Sequence, residues 1–220
     1  PSQGRDNTKA RLSHRRPRQP LPPANAHRPH ALAGRPPGRL QKWIPRIICC
    51  IATASADETA RIWRAESGAL VTTYLGHNGA VDVVAFSPDG KLAASAGEDR
   101  SARLWDGAGS KTLSVLRGHT GAIYMAAFSP DGARLCTASE DTSARLWSTK
   151  DGAQIALLSG HTQQIFSVAF SPDGSRLVTG SQDCTARLWD GALGRPILVF
   201  QSQETLSFPV SFAGFSPDGT

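Results

Sequence analysis

The chain has no run of about 18 consecutive apolar residues, which a membrane-spanning helix would need. It gives no sign of the short apolar stretch and small-residue cleavage site of a secretory leader. A reducing, cytoplasmic setting is therefore the expectation. Cysteine is scarce: Cys49, Cys50, Cys136 and Cys184 show neither paired metal-ligand spacing nor a dense disulfide framework. They read as free thiols packed as small apolar groups. Acidic residues are nearly absent from residues 1–46, where Asp6 stands alone against eleven Lys and Arg. That stretch also lacks apolar periodicity and carries nine of the fifteen prolines. Such a segment buries too little surface to offset chain entropy, so a disordered basic tail is expected. A tail of this kind can touch nucleic acid or an acidic partner. The absence of any aromatic residue before Trp43 speaks against a stacking platform for single strands. No Gly-x-Ser-x-Gly elbow surrounds any serine, and no segment keeps helical spacing over ten residues.

What the chain does have is repetition. Gly118–Trp147 reads GHTGAIYMAAFSPDGARLCTASEDTSARLW, and near-copies lie forty-two residues before and after it. Trp63, Trp105, Trp147 and Trp189 share this interval, as do Asp57, Asp99, Asp141 and Asp183. So do His77, His119 and His161, and Phe86, Phe128 and Phe170. A fixed period in this range marks a repeat architecture. Within one period VDVVAFS, LAASA, SARLW and KTLSVL are strand-length runs separated by PDG, GED and DGAGS. Four short strands with turn chemistry between them make one small antiparallel sheet. Such a sheet needs partners for both faces, which stacking around an axis supplies.

The series Gly-His, Phe-Ser-Pro-Asp-Gly, Ser/Thr four residues before Asp, then Arg-Leu-Trp-Asp resembles the WD-repeat family of β-propellers over roughly residues 47–220. The literal Trp-Asp stands only at Trp105 and Trp189, since Arg64 follows Trp63 and Ser148 follows Trp147. The resemblance implies an all-β partial propeller of about four blades, near 47–75, 76–117, 118–159 and 160–200, with a further strand in 207–220. The first blade lacks the expected His, and its first strand should cover Leu40–Pro45 with a degraded sequence. Too few repeats are present for a ring of seven or so blades, so a piece of a longer protein is expected, with self-association through open blade edges.

The resemblance also implies a buried hydrogen-bond chain in each blade: His77, Ser95, Asp99 and Trp105; His119, Thr137, Asp141 and Trp147; His161, Thr179, Asp183 and Trp189. The first blade offers Thr53, Asp57 and Trp63. The residue types fit, because carboxylate, imidazole, hydroxyl and indole N–H can satisfy one another in series. A hydrolase triad and a His/Asp metal site are the competing readings. Three copies without a nucleophile elbow argue against the first, and one His per repeat against the second. No catalytic residue, metal or cofactor is expected. Arg61, Arg103, Arg145 and Arg187, two before each Trp, are expected to pair locally along blade edges.

Positions that differ between repeats are free to specify a partner. The parity of Val81, Ile123 and Ile165 against the rest of the first strand implies a bulge that re-aims Asp82, Tyr124 and Phe166. The resemblance puts these at the rim of the face used most for binding, with Glu98, Glu140, Gln182 and Gln164. Proteins or peptides are the expected partners, and the expected function is a non-catalytic scaffold. The alternative is a regulatory segment of a larger kinase or NTPase whose catalytic domain lies outside this chain.

Overall fold

The computed structural model describes residues 50–201 and 208–218. The expected disordered tail, Cys49 and the expected first strand at Leu40–Pro45 lie outside the described residues. All regular structure among these residues is strand, and no helix there is long and apolar enough to cross a membrane.

Among the described residues, fifteen strands make four antiparallel sheets. The first holds β1 (Cys50–Ala54), β2 (Ala60–Arg64) and β3 (Leu70–Tyr74). The second holds β4 (Val81–Phe86), β5 (Leu92–Gly97), β6 (Ser101–Asp106) and β7 (Thr112–Arg117). The third holds β8 (Ile123–Phe128), β9 (Arg134–Ser139), β10 (Ala144–Ser148) and β11 (Gln154–Leu158). The fourth holds β12 (Ile165–Phe170), β13 (Arg176–Ser181), β14 (Thr185–Asp190) and β15 (Pro196–Gln201). In every sheet the strands pair in chain order. The first sheet has three strands among the described residues, against the four expected.

Consecutive sheets pack face to face, with the inner strands β4, β8 and β12 side by side. Each interface sets small residues against large ones. Ala94, Ala96 and Ala102 with Leu104 and Leu116 of the second sheet meet Ile123, Leu135 and Trp147 of the third. Cys136, Ala138 and Ala144 with Leu146 and Leu158 meet Ile165, Leu177 and Trp189 of the fourth. Ala60, Ile62 and Tyr74 meet Val81, Ala93 and Trp105 across the first interface. Alanine columns let the next sheet's tryptophan approach closely. A buried aromatic contributes more apolar area than any other side chain, so the Trp recurring in each repeat anchors each interface. One sheet cannot shield its own faces; the copies shield one another.

The turns follow from local chemistry. In the Ser-Pro-Asp-Gly turns after β4 and β12, Ser87 donates to Asp89 at 2.8 Å and Ser171 to Asp173 at 2.5 Å. Ser129 donates to Asp131 in the turn after β8. The glycines of the Gly-His pairs have a different origin. A Cβ on Gly118 would stand 2.7 Å from Nη1 of Arg145, and one on Gly160 would stand 2.5 Å from Nη1 of Arg187. Arg145 and Arg187, two residues before Trp147 and Trp189, therefore lie over the glycine that opens their own repeat. Local pairing is uneven: Arg61 meets Asp57 at 2.6 Å, Arg103 meets Asp99 at 3.5 Å and Arg145 donates to Gln154. The Nε atoms of Arg103, Arg145 and Arg187 are buried with no partner among the described residues.

Candidate functional site

Two constellations in the repeats hold polar chemistry. The first is the buried chain of each blade. Asp141 Oδ2 lies 2.8 Å from His119 Nδ1, and His119 Nε2 lies 2.8 Å from Thr137 Oγ1. Trp147 Nε1 donates to Thr137 Oγ1 at 2.9 Å. The next blade repeats this with Asp183, His161, Thr179 and Trp189 at 2.8, 2.8 and 2.9 Å. A carboxylate only accepts, so Nδ1 of each His carries the proton and Nε2 accepts from the hydroxyl. The donors then run in one direction, from indole to hydroxyl to imidazole to carboxylate.

In the second sheet this chain is broken. His77 bonds Asp99 at 2.9 Å and Ser95 at 2.8 Å, but Trp105 Nε1 is buried with no partner among the described residues. The expected place of Trp105 in the chain is thus corrected. The difference in side chain explains it. Thr137 and Thr179 are β-branched, and χ1 is restricted by the methyl group, holding the hydroxyl between His and Trp. Ser95 has no such restraint. Trp105 is instead stacked on Tyr74, with ring centroids 4.9 Å apart and planes 11° from parallel. In the first sheet Trp63 donates to Thr53 at 2.9 Å, while Asp57, without a His, pairs with Arg61.

Sequence reasoning missed one member. Thr59, Ser101, Ser143 and Thr185 each donate to the Asp two residues earlier, at 2.6, 2.8, 2.6 and 2.6 Å. These hydroxyls also recur every forty-two residues, so the signal was present. Burial by itself raises the pKa of Asp183, but hydrogen bonds from Thr185, His161 and the Thr162 amide outweigh it and hold the carboxyl at about 2. Asp141 and Asp99 are lowered by the same balance. Burial pushes His77 and His161 below the ordinary 6.5, with the paired carboxylates opposing.

This arrangement looks like a Ser-His-Asp triad only on paper. The three His side chains are at most 1% exposed, and Ser95, Thr137 and Thr179 are fully buried. A hydroxyl that no substrate reaches, and that in two blades already accepts from an indole, is a structural link.

The second constellation is on the surface. The ladder register skips one residue between Val81 and Val83, between Ile123 and Met125, and between Ile165 and Ser167. The skipped residues are Asp82, Tyr124 and Phe166. Each sits at the start of an inner strand, at the end opposite the Ser-Pro-Asp-Gly turns. Tyr124 and Phe166, from neighbouring strands, have ring centroids 6.1 Å apart. The Tyr124 hydroxyl donates to Gln164 Oε1 at 3.3 Å, and Gln164 Nε2 donates to Gln182 Oε1 at 2.6 Å. Glu140 accepts from the Ala122 amide at 3.3 Å. Glu98 and Asp82 make no direct bond to the ring pair, yet their charges reach it. Burial and then the carboxylates of Glu140, Asp82 and Glu98 push the Tyr124 hydroxyl upward. Burial and Glu98 push Asp82 upward. Asp82, Glu98 and Glu140 are exposed, while Tyr124, Phe166, Gln164 and Gln182 are half-buried. Two aromatic faces thus lie beside three exposed carboxylates on one rim.

The cysteines are not part of either constellation. Cys136 is enclosed and burial raises its thiol strongly; Cys50 and Cys184 are free and half-buried.

The family model described as "WD domain, G-beta repeat" matches three times, at residues 68–106, 110–148 and 152–190. Each match ends on the strand that holds the repeat's Trp, namely Trp105, Trp147 or Trp189. A segment of 70 residues, 30% of this chain, is 43% identical to Ribosome assembly protein 4 of Chaetomium thermophilum and covers 14% of that protein. A segment of 43 residues, 20% of this chain, is 44% identical to human WD repeat-containing protein 37 and covers 9% of it. The matched segments therefore span only a small part of the length of these relatives.

Proposed function

The chain belongs to the WD-repeat family, and from that premise we propose that it is a rigid, non-catalytic platform whose Tyr124–Phe166 rim docks a protein partner. Proteins of this family typically serve as interaction scaffolds rather than catalysts. The sealed hydroxyls of the blade interiors are in keeping with that role.

The observation that carries the proposal is the rim itself. The residues that differ between repeats gather where the bulges aim them outward, and the bulges recur in all three full blades. Half-buried aromatics ringed by polar groups are the composition of binding hot spots. The Gln164–Gln182 pair and Tyr124 hydroxyl fix the floor of the patch, so little side-chain freedom is lost on docking. Asp82, Glu98 and Glu140 favour a partner that sets a Lys or Arg against the rings, where cation–π attraction adds to charge pairing. A partner in ribosome assembly is in keeping with the name of one relative.

The test is paired. Tyr124→Ala with Phe166→Ala should leave the thermal midpoint near wild type and abolish recovery of a partner that wild type retains. Unchanged recovery with the double variant would place the binding surface elsewhere.

A further inference from the structure

At the end of the blades opposite the Tyr124–Phe166 rim, neighbouring Ser-Pro-Asp-Gly turns form two clefts that are built alike and filled differently. The turns stack in the same way: a Cβ on Gly132 would stand 3.6 Å from Pro88 Cδ, and one on Gly174 would stand 3.3 Å from Pro130 Cδ. The backbone behind them matches too. The Thr149 amide donates to Ala133 O at 3.0 Å, and the Gly191 amide donates to Ser175 O at 2.8 Å.

Between the third and fourth sheets the cleft holds Arg134. Its guanidinium donates to Asp131 Oδ2 at 3.1 Å, Gly174 O at 3.2 Å and Gly191 O at 2.6 Å. It also lies 5.5 Å from the Phe170 ring centroid, and the side chain is only 16% exposed. A carboxylate of its own turn and two carbonyls across from it therefore hold a planar fork of donors. Forty-two residues earlier the same position is Leu92, which is shorter and donates nothing. Beside Leu92, between the turns of the second and third sheets, lies a cleft of about 380 Å³. Leu92, Pro88 and Pro130 give it apolar walls, and Asp89, Asp131 and Gly132 bring acceptors. By the repeat, Asp89 and Gly132 are the counterparts of Asp131 and Gly174, two of the three residues that hold Arg134. Hydrogen bonds from the Lys91 side chain and amide and from Ser87 hold the Asp89 carboxyl at about 2, so it is ionised. The Lys91 ammonium is 2.9 Å from Asp89 Oδ2 but 82% exposed, and a surface pair of that kind is weak. Gly132 O accepts from Thr149 Oγ1 at 2.8 Å and keeps a second lone pair.

We propose that this cleft receives an arginine side chain from another protein, seated as Arg134 is seated one interface further on. The guanidinium bonds the Asp89 carboxylate on one side and the Gly132 carbonyl on the other, and its methylene stem lies against Leu92 and the prolines. A lysine suits the cleft less, because its ammonium is a point charge and does not span two separated acceptors. The contact leaves the rim free for its own partner.

N-acetylarginine amide, titrated into the isotope-labelled 220-residue chain, should shift the Leu92 methyl and Gly132 amide signals to saturation. N-acetyllysine amide should bind there about fivefold more weakly. Asp89→Asn keeps the oxygen that closes the turn but removes the charge, and should weaken the arginine probe about fivefold. Leu92→Arg should supply the guanidinium from the chain itself, raising the thermal midpoint and abolishing the shift at Gly132. The absence of a saturable shift at Leu92 and Gly132, equal binding of the lysine probe, indifference to Asp89→Asn, or undiminished binding to Leu92→Arg would each overturn the proposal. So would Leu92 and Gly132 signals that move on dilution of the chain alone, since a second copy would then fill the cleft.

Discussion

At the scale of the residue, one methyl group separates an intact hydrogen-bond chain from a broken one. Ser95→Thr should let the hydroxyl bridge His77 and Trp105 as Thr137 and Thr179 do in their blades. Satisfying the buried indole N–H is worth roughly 1 kcal/mol. A raised unfolding midpoint, with the Trp105 indole proton newly protected from exchange, is the expected result; a lowered midpoint would mean that Ala93 and its neighbours leave no room for the methyl. The pH response also belongs here. Asp99, Asp141 and Asp183 have folded pKa values below their unfolded ones, as do His77 and His161. For every one of these groups the unfolded chain binds protons more readily, so stability is full above the unfolded pKa and lost as pH falls. Loss should begin below the ordinary His value of 6.5 and steepen through the carboxylate range. Asp82, raised, acts in the opposite sense but is single and exposed. Melting scans from pH 7.5 down to pH 4 should show a falling midpoint, and a flat or rising one would contradict the pairing. The members of the chain were legible from their spacing. The failure at Trp105 was not, because residue type gives a hydroxyl but not its direction.

At the scale of the element, turns and bulges decide where side chains go. The hairpins β1–β2, β5–β6, β9–β10 and β13–β14 place Glu58, Arg100, Thr142 and Cys184 at φ of 67, 62, 69 and 65°. None is Gly, and a β-branched residue is strained in this left-handed region. Thr142→Gly should stabilise the third sheet by about 1 kcal/mol, since relief of strain outweighs the entropy that Gly adds to the unfolded chain. A shift of the urea midpoint in either direction reads the sign. The strain is tolerated because this turn brings the Asp carboxylate back onto the amide and hydroxyl of the residue after it, as for Asp141 and Ser143. Sequence parity alone revealed the bulges at Asp82, Tyr124 and Phe166. It could not reveal the positive φ, because Arg, Thr and Cys are not the residues that turn chemistry leads one to expect.

At the scale of the whole molecule, repetition explains both stability and use. The period showed how many sheets to expect and that successive sheets cover one another's faces. What it could not show was which of the variable positions meet: Tyr124 and Phe166 approach across neighbouring inner strands, with ring centroids 6.1 Å apart. The repeated His77, His119 and His161 and Trp105, Trp147 and Trp189 are buried, while the varying Asp82, Tyr124 and Phe166 stand at the bulges with part or all of their surface exposed. The central claim is that this rim is the working surface. The most direct measurement is quantitative affinity capture with three baits: the wild-type chain, the Tyr124→Ala and Phe166→Ala double variant, and Lys91→Glu at the opposite end of the blades. The account predicts proteins that wild type and Lys91→Glu recover equally and that the double variant loses at least tenfold. Equal recovery with all three baits, or equal loss with both variants, would contradict it.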